Sequence, residues 1–192
     1  MNSRAQAILD FWFGPPTSPD YGKPREAWFE KDPEFDEAIR HHFLADYEAA
    51  AAGECDRWQD TPAECLALVI LLDQFPRNMF RDDPRAFATD GKALDVARHA
   101  VAAGFDRQVG ETGRTFFYLP FEHSEDMSCQ DRSLELFRAQ PDWDQPGSPF
   151  QYAQRHWEII RRFGRFPHRN RILGRASTPP EVEFLTLPDS GF

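Results

Sequence analysis

The chain has 192 residues and a formal net charge of −10 at pH 7; 14% of its residues are aromatic, and Phe alone occurs eighteen times. This length suits a single domain with a sizeable core, while the acidic balance disfavours nucleic acid as a general partner, because phosphates would meet a repulsive field. The longest apolar run, Leu66 to Leu72, is far short of the roughly twenty residues that cross a bilayer, which excludes a membrane-spanning helix. The three cysteines, Cys55, Cys65 and Cys129, have no zinc spacing and suit a reducing compartment as inert buried thiols. Met1 to Phe13 include Arg4 and Asp10 and no secretory core, so residence in the cytoplasm is expected.

Taken in chain order, the first helix runs from about Ser3 to Phe13 and ends at Gly14-Pro15-Pro16. A Pro-rich loop follows to Lys23, and Trp28-Phe29 supplies an anchoring turn. Later helix starts repeat one device, a short polar residue followed by Pro: Asp32-Pro33, Thr61-Pro62, Asp83-Pro84, Ser148-Pro149 and Thr178-Pro179. The polar side chain can cap a free backbone N–H, and Pro occupies the first helical position, where its missing donor costs nothing. Thr61 with Glu64, Ser148 with Gln151 and Thr178 with Glu181 have the spacing of a capping box. Gly53, Gly104 and Gly164 mark helix ends.

Between these marks, Phe35, Ile39, Phe43 and Tyr47 form one stripe, and Ala153, Trp157, Ile160 and Phe163 a looser one. The segment after Thr61 has almost no polar face and reads as a central helix. Pro120 is expected to open a helix whose stripe continues through Met127, Gln130, Leu134 and Phe137, with Glu122, Glu125 and Asp126 in its first turn. No segment alternates as a strand does. The expectation is a single all-α domain over residues 1–192, seven or eight helices joined as antiparallel hairpins.

Two motifs carry most of the distinctive chemistry. In Asp73-Gln74-Phe75-Pro76-Arg77-Asn78 the polar groups lie at the end of the most apolar helix. A buried Asp73 needs a partner, which Arg77 can supply, while Gln74 and Asn78 can hold carbonyls released where Pro76 interrupts the ladder. Alternatively, Phe166-Pro167-His168-Arg169-Asn170 repeats the same Phe-Pro entry and Arg-Asn pair. The two bends can then line one groove, with Arg77 and Arg169 offering forked donors to a carboxylate or phosphate. In Glu122-His123-Ser124-Glu125-Asp126 the acids suit a helix N-terminus, or a polar face that relays protons.

From Arg155 to Arg175 seven Arg face one Glu, a local balance of +6 that leaves −16 on the remainder, best read as internal compensation. His41, His42, His99 and His156 receive no role. There is no Gly-rich phosphate loop, G-x-S-x-G elbow, H-E-x-x-H or dinucleotide fingerprint, and the lone Glu-rich cluster lacks the second copy that a di-iron site uses. No cofactor or metal is expected.

Leu9-Asp10-Phe11-Trp12-Phe13-Gly14, Trp28-Phe29, Leu71 to Asn78, Phe116 to Glu125 and Phe166 to Asn170 together resemble, in order and spacing, the bacterial family catalogued as domain of unknown function 924. The resemblance covers almost the whole chain. It implies a tetratricopeptide-like array of irregular helical pairs, although no consensus repeat is visible, and it implies no reaction.

The functional expectation is a groove binding a small anionic molecule or a peptide through Asp73, Gln74, Arg77, Asn78, Glu122, His123, Glu125, Asp126, His168, Arg169 and Asn170. One alternative is a hydrolase-like enzyme using His123 with Glu122 or Glu125, in which Ser124 is a nucleophile only by adjacency. Another is a protein-interaction scaffold presenting aromatics such as Trp143 or Phe192.

Overall fold

A computed structural model describes residues 1–188, 190 and 191; Phe192 lies outside the described residues. Among them the chain is all-helical, with no strand. The helices are α1 (Ser3–Phe13), α2 (Pro33–Ala52), α3 (Pro62–Val69), α4 (Phe75–Met79), α5 (Asp90–Ala102), α6 (Glu111–Glu122), α7 (Met127–Arg138), α8 (Pro149–Phe163) and α9 (Pro179–Leu185). The chain divides into two compact units, the first made of residues 1–81 and 85–120, the second of residues 82–84 and 121–192.

The core of the first unit is aromatic. Trp12 stacks on Trp28 at 5.6 Å and meets Phe75 at 5.6 Å and Phe116 at 5.5 Å, while Phe43 lies 5.0 Å from Phe75. Ring pairs at these separations add specific contact to the burial of large apolar area. The free carbonyls ending α1 are also satisfied here: Arg25 Nη1 donates to Phe11 O at 2.8 Å and Trp12 O at 3.0 Å, and Trp28 Nε1 to Trp12 O at 3.1 Å. The Leu9–Gly14 and Trp28-Phe29 motifs therefore explain each other. On α2 the expected stripe holds, with Ile39, Phe43 and Tyr47 buried and Phe35 half-buried.

The apolar segment after Thr61 is buried all round, from Cys65 to Leu72. It packs against α1 and α5, as a helix without a polar face must. It leaves α3 through a single π turn, Ile70–Gln74, before entering α4. Phe75 N donates to Ile70 O rather than to the carbonyl four residues back. Pro76 has no N–H to offer Leu72, and Thr89 Oγ1 donates to Leu72 O instead, at 2.6 Å.

In the second unit, α7 packs along α8, and Ile159, Ile160 and Phe166 form a core with Met127, Phe163 and Phe184 against it. The buried face of α8 is Phe150, Ala153, His156, Ile159 and Ile160, so the stripe turns one position from the expected one. His156 is inside and Trp157 only half-buried, its Nε1 donating to Asp131 at 2.7 Å.

Several sequence expectations change. Pro120 does not open a helix; it lies in the last turn of α6, where its missing donor removes only one late bond. Glu122 thus ends α6, whereas Asp126 caps α7, accepting from Ser128 N and Cys129 N, and the three acids do not share one first turn. Asp83-Pro84 opens a short 3-10 turn, Pro84–Phe87, in place of an α-helix. Of the three capping boxes, Thr178 with Glu181 forms, its backbone N–H donating to the carboxylate at 2.6 Å. Glu64 instead accepts from Asn2 N and the Thr61 hydroxyl, and Gln151 from Gly147 N. Gly53 and Gly164 end α2 and α8 in the left-handed region at φ 93° and 68°.

Candidate functional site

The polar residues of the Asp73–Asn78 motif lie in the first unit and are held by its own carboxylates. The π turn buries Asp73 completely, and its Oδ2 accepts from Gln74 Nε2 at 2.5 Å. Arg77 chelates Asp90, Nη1 to Oδ1 at 2.9 Å and Nη2 to Oδ2 at 3.1 Å, and also donates to the Asp73 carbonyl at 2.6 Å. Burial opposes the guanidinium charge, but Asp73 and Asp90 outweigh it and raise the Arg77 pKa. Asn78 Nδ2 donates to Asp36 Oδ1 at 2.7 Å, and Arg81 forks onto the same carboxylate. Asp36 and Asp90 are partners that motif reading did not find.

The remaining candidates lie in the second unit. Arg175 forks onto Glu125 at 2.6 and 2.9 Å, and Phe166 N donates to the same carboxylate at 2.8 Å. Burial opposes the charge on Glu125, yet Arg175 and the Phe166 amide prevail and hold its pKa below the usual carboxylate value. Asn170 extends this lattice, accepting from Arg175 Nε at 2.9 Å and donating to Ser177 Oγ at 3.1 Å. Ser124 Oγ accepts from Asp126 N at 3.2 Å, which ties the hydroxyl into the bend between α6 and α7. Gln130 closes that bend from inside, donating to Glu122 O at 2.6 Å and Ser124 O at 2.7 Å. Glu125, Asn170 and Asp126 therefore shape the wall.

The other four candidates gather around two neighbouring rings, Phe166 and His156. Phe166 is fully buried, with the Arg169 guanidinium 4.5 Å above it, His168 at 5.6 Å and His156 edge-on at 5.5 Å. His123 lies 6.3 Å from His156, and Glu122 Oε1 is 3.0 Å from His156 Nδ1. That nitrogen also lies 2.9 Å from Tyr152 O, so its N–H is shared between a carbonyl and a carboxylate. The bond to the Tyr152 carbonyl favours the imidazolium. Burial works against it more strongly, joined by His123, Arg169 and His168, so the His156 pKa falls well below 6.5.

Among the described residues the cluster thus brings together three imidazoles, the Arg169 guanidinium and the Glu122 carboxylate, backed by an aromatic face. His123 and His168 are half-exposed, whereas Glu122, His156 and Arg169 are buried. Such a set can hold an anion by charge-assisted donors, or pass a proton between imidazoles. Among the described residues no group of three His, Cys, Asp or Glu has metal-binding geometry. Sequence alone gives His156 no role; its one signal is its place among Ala153 and Ile160, three and four residues away on the buried face.

The family profile described as "Bacterial protein of unknown function (DUF924)" matches residues 8–189, across both units. Among proteins of curated function none matches. A solved structure of a protein of unknown function, ATU0120 from Agrobacterium tumefaciens, is similar with a TM-score of 0.83 and 40% identity, over 98% of each chain. Match length, identity and shared fold agree: the chain belongs to the bacterial DUF924 family.

Proposed function

We propose that the second unit binds a small anion, a carboxylate or a phosphate, at the cluster of His123, His168 and Arg169, with the His156–Glu122 pair behind it. The observation that carries this reading is the crowding of donors around Phe166, where Arg169 and two imidazoles meet one ring within 4.5–5.6 Å. Stacking fixes the guanidinium plane, so less freedom is lost when its N–H edge meets an oxyanion. Glu125, Arg175 and Asn170 hold the wall. In the first unit Asp73, Gln74, Arg77 and Asn78 serve as framework, because Asp90 and Asp36 engage the groups that a ligand would need. The protein works in the cytoplasm on a tetratricopeptide-like helical scaffold, with which the helical pairs are compatible.

Inorganic phosphate and citrate are the probes. Thermal melting against increasing concentrations of each, at matched ionic strength, should raise the wild-type midpoint as ligand linkage requires. The rise should disappear in the double substitution His123→Gln, His168→Gln. A wild-type midpoint that neither probe moves, or one that moves equally in the variant, refutes the site.

A further inference from the structure

A second feature of this unit is independent of that cluster. The end of α8 and the segment from α9 to Pro188 border an open groove of about 630 Å³. Ile159, Phe163, Phe184 and Leu187 supply its apolar lining; Phe163 and Phe184 meet at 5.1 Å, and Leu187 is 52% exposed. Among the described residues its lining carries three arginines, Arg155, Arg161 and Arg162, and one acid, Glu158.

The arginines of this basic stretch differ in their partners. Arg165 is paired with Glu181, Arg171 with Asp82 and Arg175 with Glu125. Arg161 and Arg162 have no carboxylate partner among the described residues, and both are exposed. Each instead stacks on a ring: Arg161 over Trp157 at 4.9 Å, Arg162 over Phe163 at 4.7 Å and Phe184 at 5.9 Å. Stacking orients a guanidinium while leaving its N–H edge free to donate. Internal compensation therefore accounts for only part of the +6 balance, and an unneutralised remainder borders this groove.

We infer that the groove docks an acidic peptide segment whose apolar side chains enter between Phe163, Phe184 and Leu187 while its carboxylates meet Arg161 and Arg162. Charge complementarity selects an acidic occupant, and the apolar lining selects one with hydrophobic anchors. Nucleic acid fits less well. The chain as a whole carries −10, and guanidinium groups already cover the Trp157 and Phe163 rings on which bases would stack.

The test is fluorescence anisotropy on the full chain at low salt, with a labelled peptide of Glu and Leu as probe. Peptides of Lys and Leu and of Glu and Ser, together with polyuridylate, serve as comparisons. The Glu/Leu peptide should bind tightest, and the double charge reversal Arg161→Glu, Arg162→Glu should weaken it about tenfold or more. Leu187→Ser, at an exposed site, should weaken it without moving the far-ultraviolet circular dichroism spectrum. Binding unchanged by the reversal, or polyuridylate as the tightest ligand, overturns the proposal. So does a self-associated wild type that the reversal converts to monomer, since the occupant is then a second copy. The His123→Gln, His168→Gln variant should keep full peptide binding, which separates failure of this surface from failure of the anion site.

Discussion

His156 Nδ1 and Glu122 Oε1 lie 3.0 Å apart, with side chains only 6% and 4% exposed. Burial, joined by the positive field of His123, Arg169 and His168, keeps this imidazole neutral well below pH 6.5. The unfolded chain takes up a proton near its ordinary pKa, so below about pH 6.5 it binds more protons than the folded chain, and stability falls as pH drops. His156→Gln removes that loss. The gap in melting midpoint between wild type and variant should narrow from about pH 7.5 to about pH 5.5; a gap of constant size would show that the imidazole takes up its proton as readily in the fold as in the unfolded chain.

Arg77 is a stabilising residue. Arg77→Ala takes the guanidinium away from the buried Asp73 carboxylate and removes both bonds to Asp90, which should cost about 3 kcal/mol in urea unfolding. Arg77→Lys keeps the charge and loses the fork, and should fall between wild type and Ala. A loss under about 0.5 kcal/mol for the Ala variant would contradict this assignment.

The Arg165–Glu181 pair governs acid sensitivity near α9. Arg165 and then the Thr178 backbone and hydroxyl lower the Glu181 pKa to about 2, against the resistance of partial desolvation. The stabilisation this gives is complete above the ordinary carboxylate value of 4.5 and disappears as pH falls toward 2. Glu181→Gln should lower the neutral-pH melting midpoint by about 2–4 °C. It should also flatten the stability curve on the acid side, where circular dichroism melts can follow it.

The cysteines sort by burial. Cys65 is enclosed, and desolvation pushes its thiol up to about 12. Cys129 is also buried, and Cys55 only half-buried, its pKa raised by desolvation and then by Asp46. Under native conditions at about pH 8, a thiol reagent should label Cys55 slowly and leave Cys65 and Cys129 intact until denaturant is added. Mass spectrometry of tryptic peptides reads this directly, and early labelling of Cys65 would show local opening of α3.

What the sequence made legible follows from distance along the chain. The ends of α1 and α2 were readable because a cap, a Pro and a Gly act within one helical turn. The Pro120 bend is ambiguous in the sequence, because Pro at the end of one helix and Pro at the start of the next look alike without the neighbouring contacts. The partners of the motif residues lie outside the motifs: Asn78 meets Asp36 42 residues away and Arg77 meets Asp90 13 residues away. Pairings across such separations depend on how helices pack, which local spacing does not encode. The same limit hid His156, whose side-chain chemistry matters only once α8 turns it toward Glu122.

The wide turn at Ile70–Gln74 amounts to one surplus residue accommodated inside an otherwise regular rod. Tightening it to a regular turn without the loss of a residue would swing everything after it by about 100°. Arg77 and Asn78 would then face away from Asp90 and Asp36. The clasp therefore depends on this turn staying wide, and any change that tightens it disengages two acids at once.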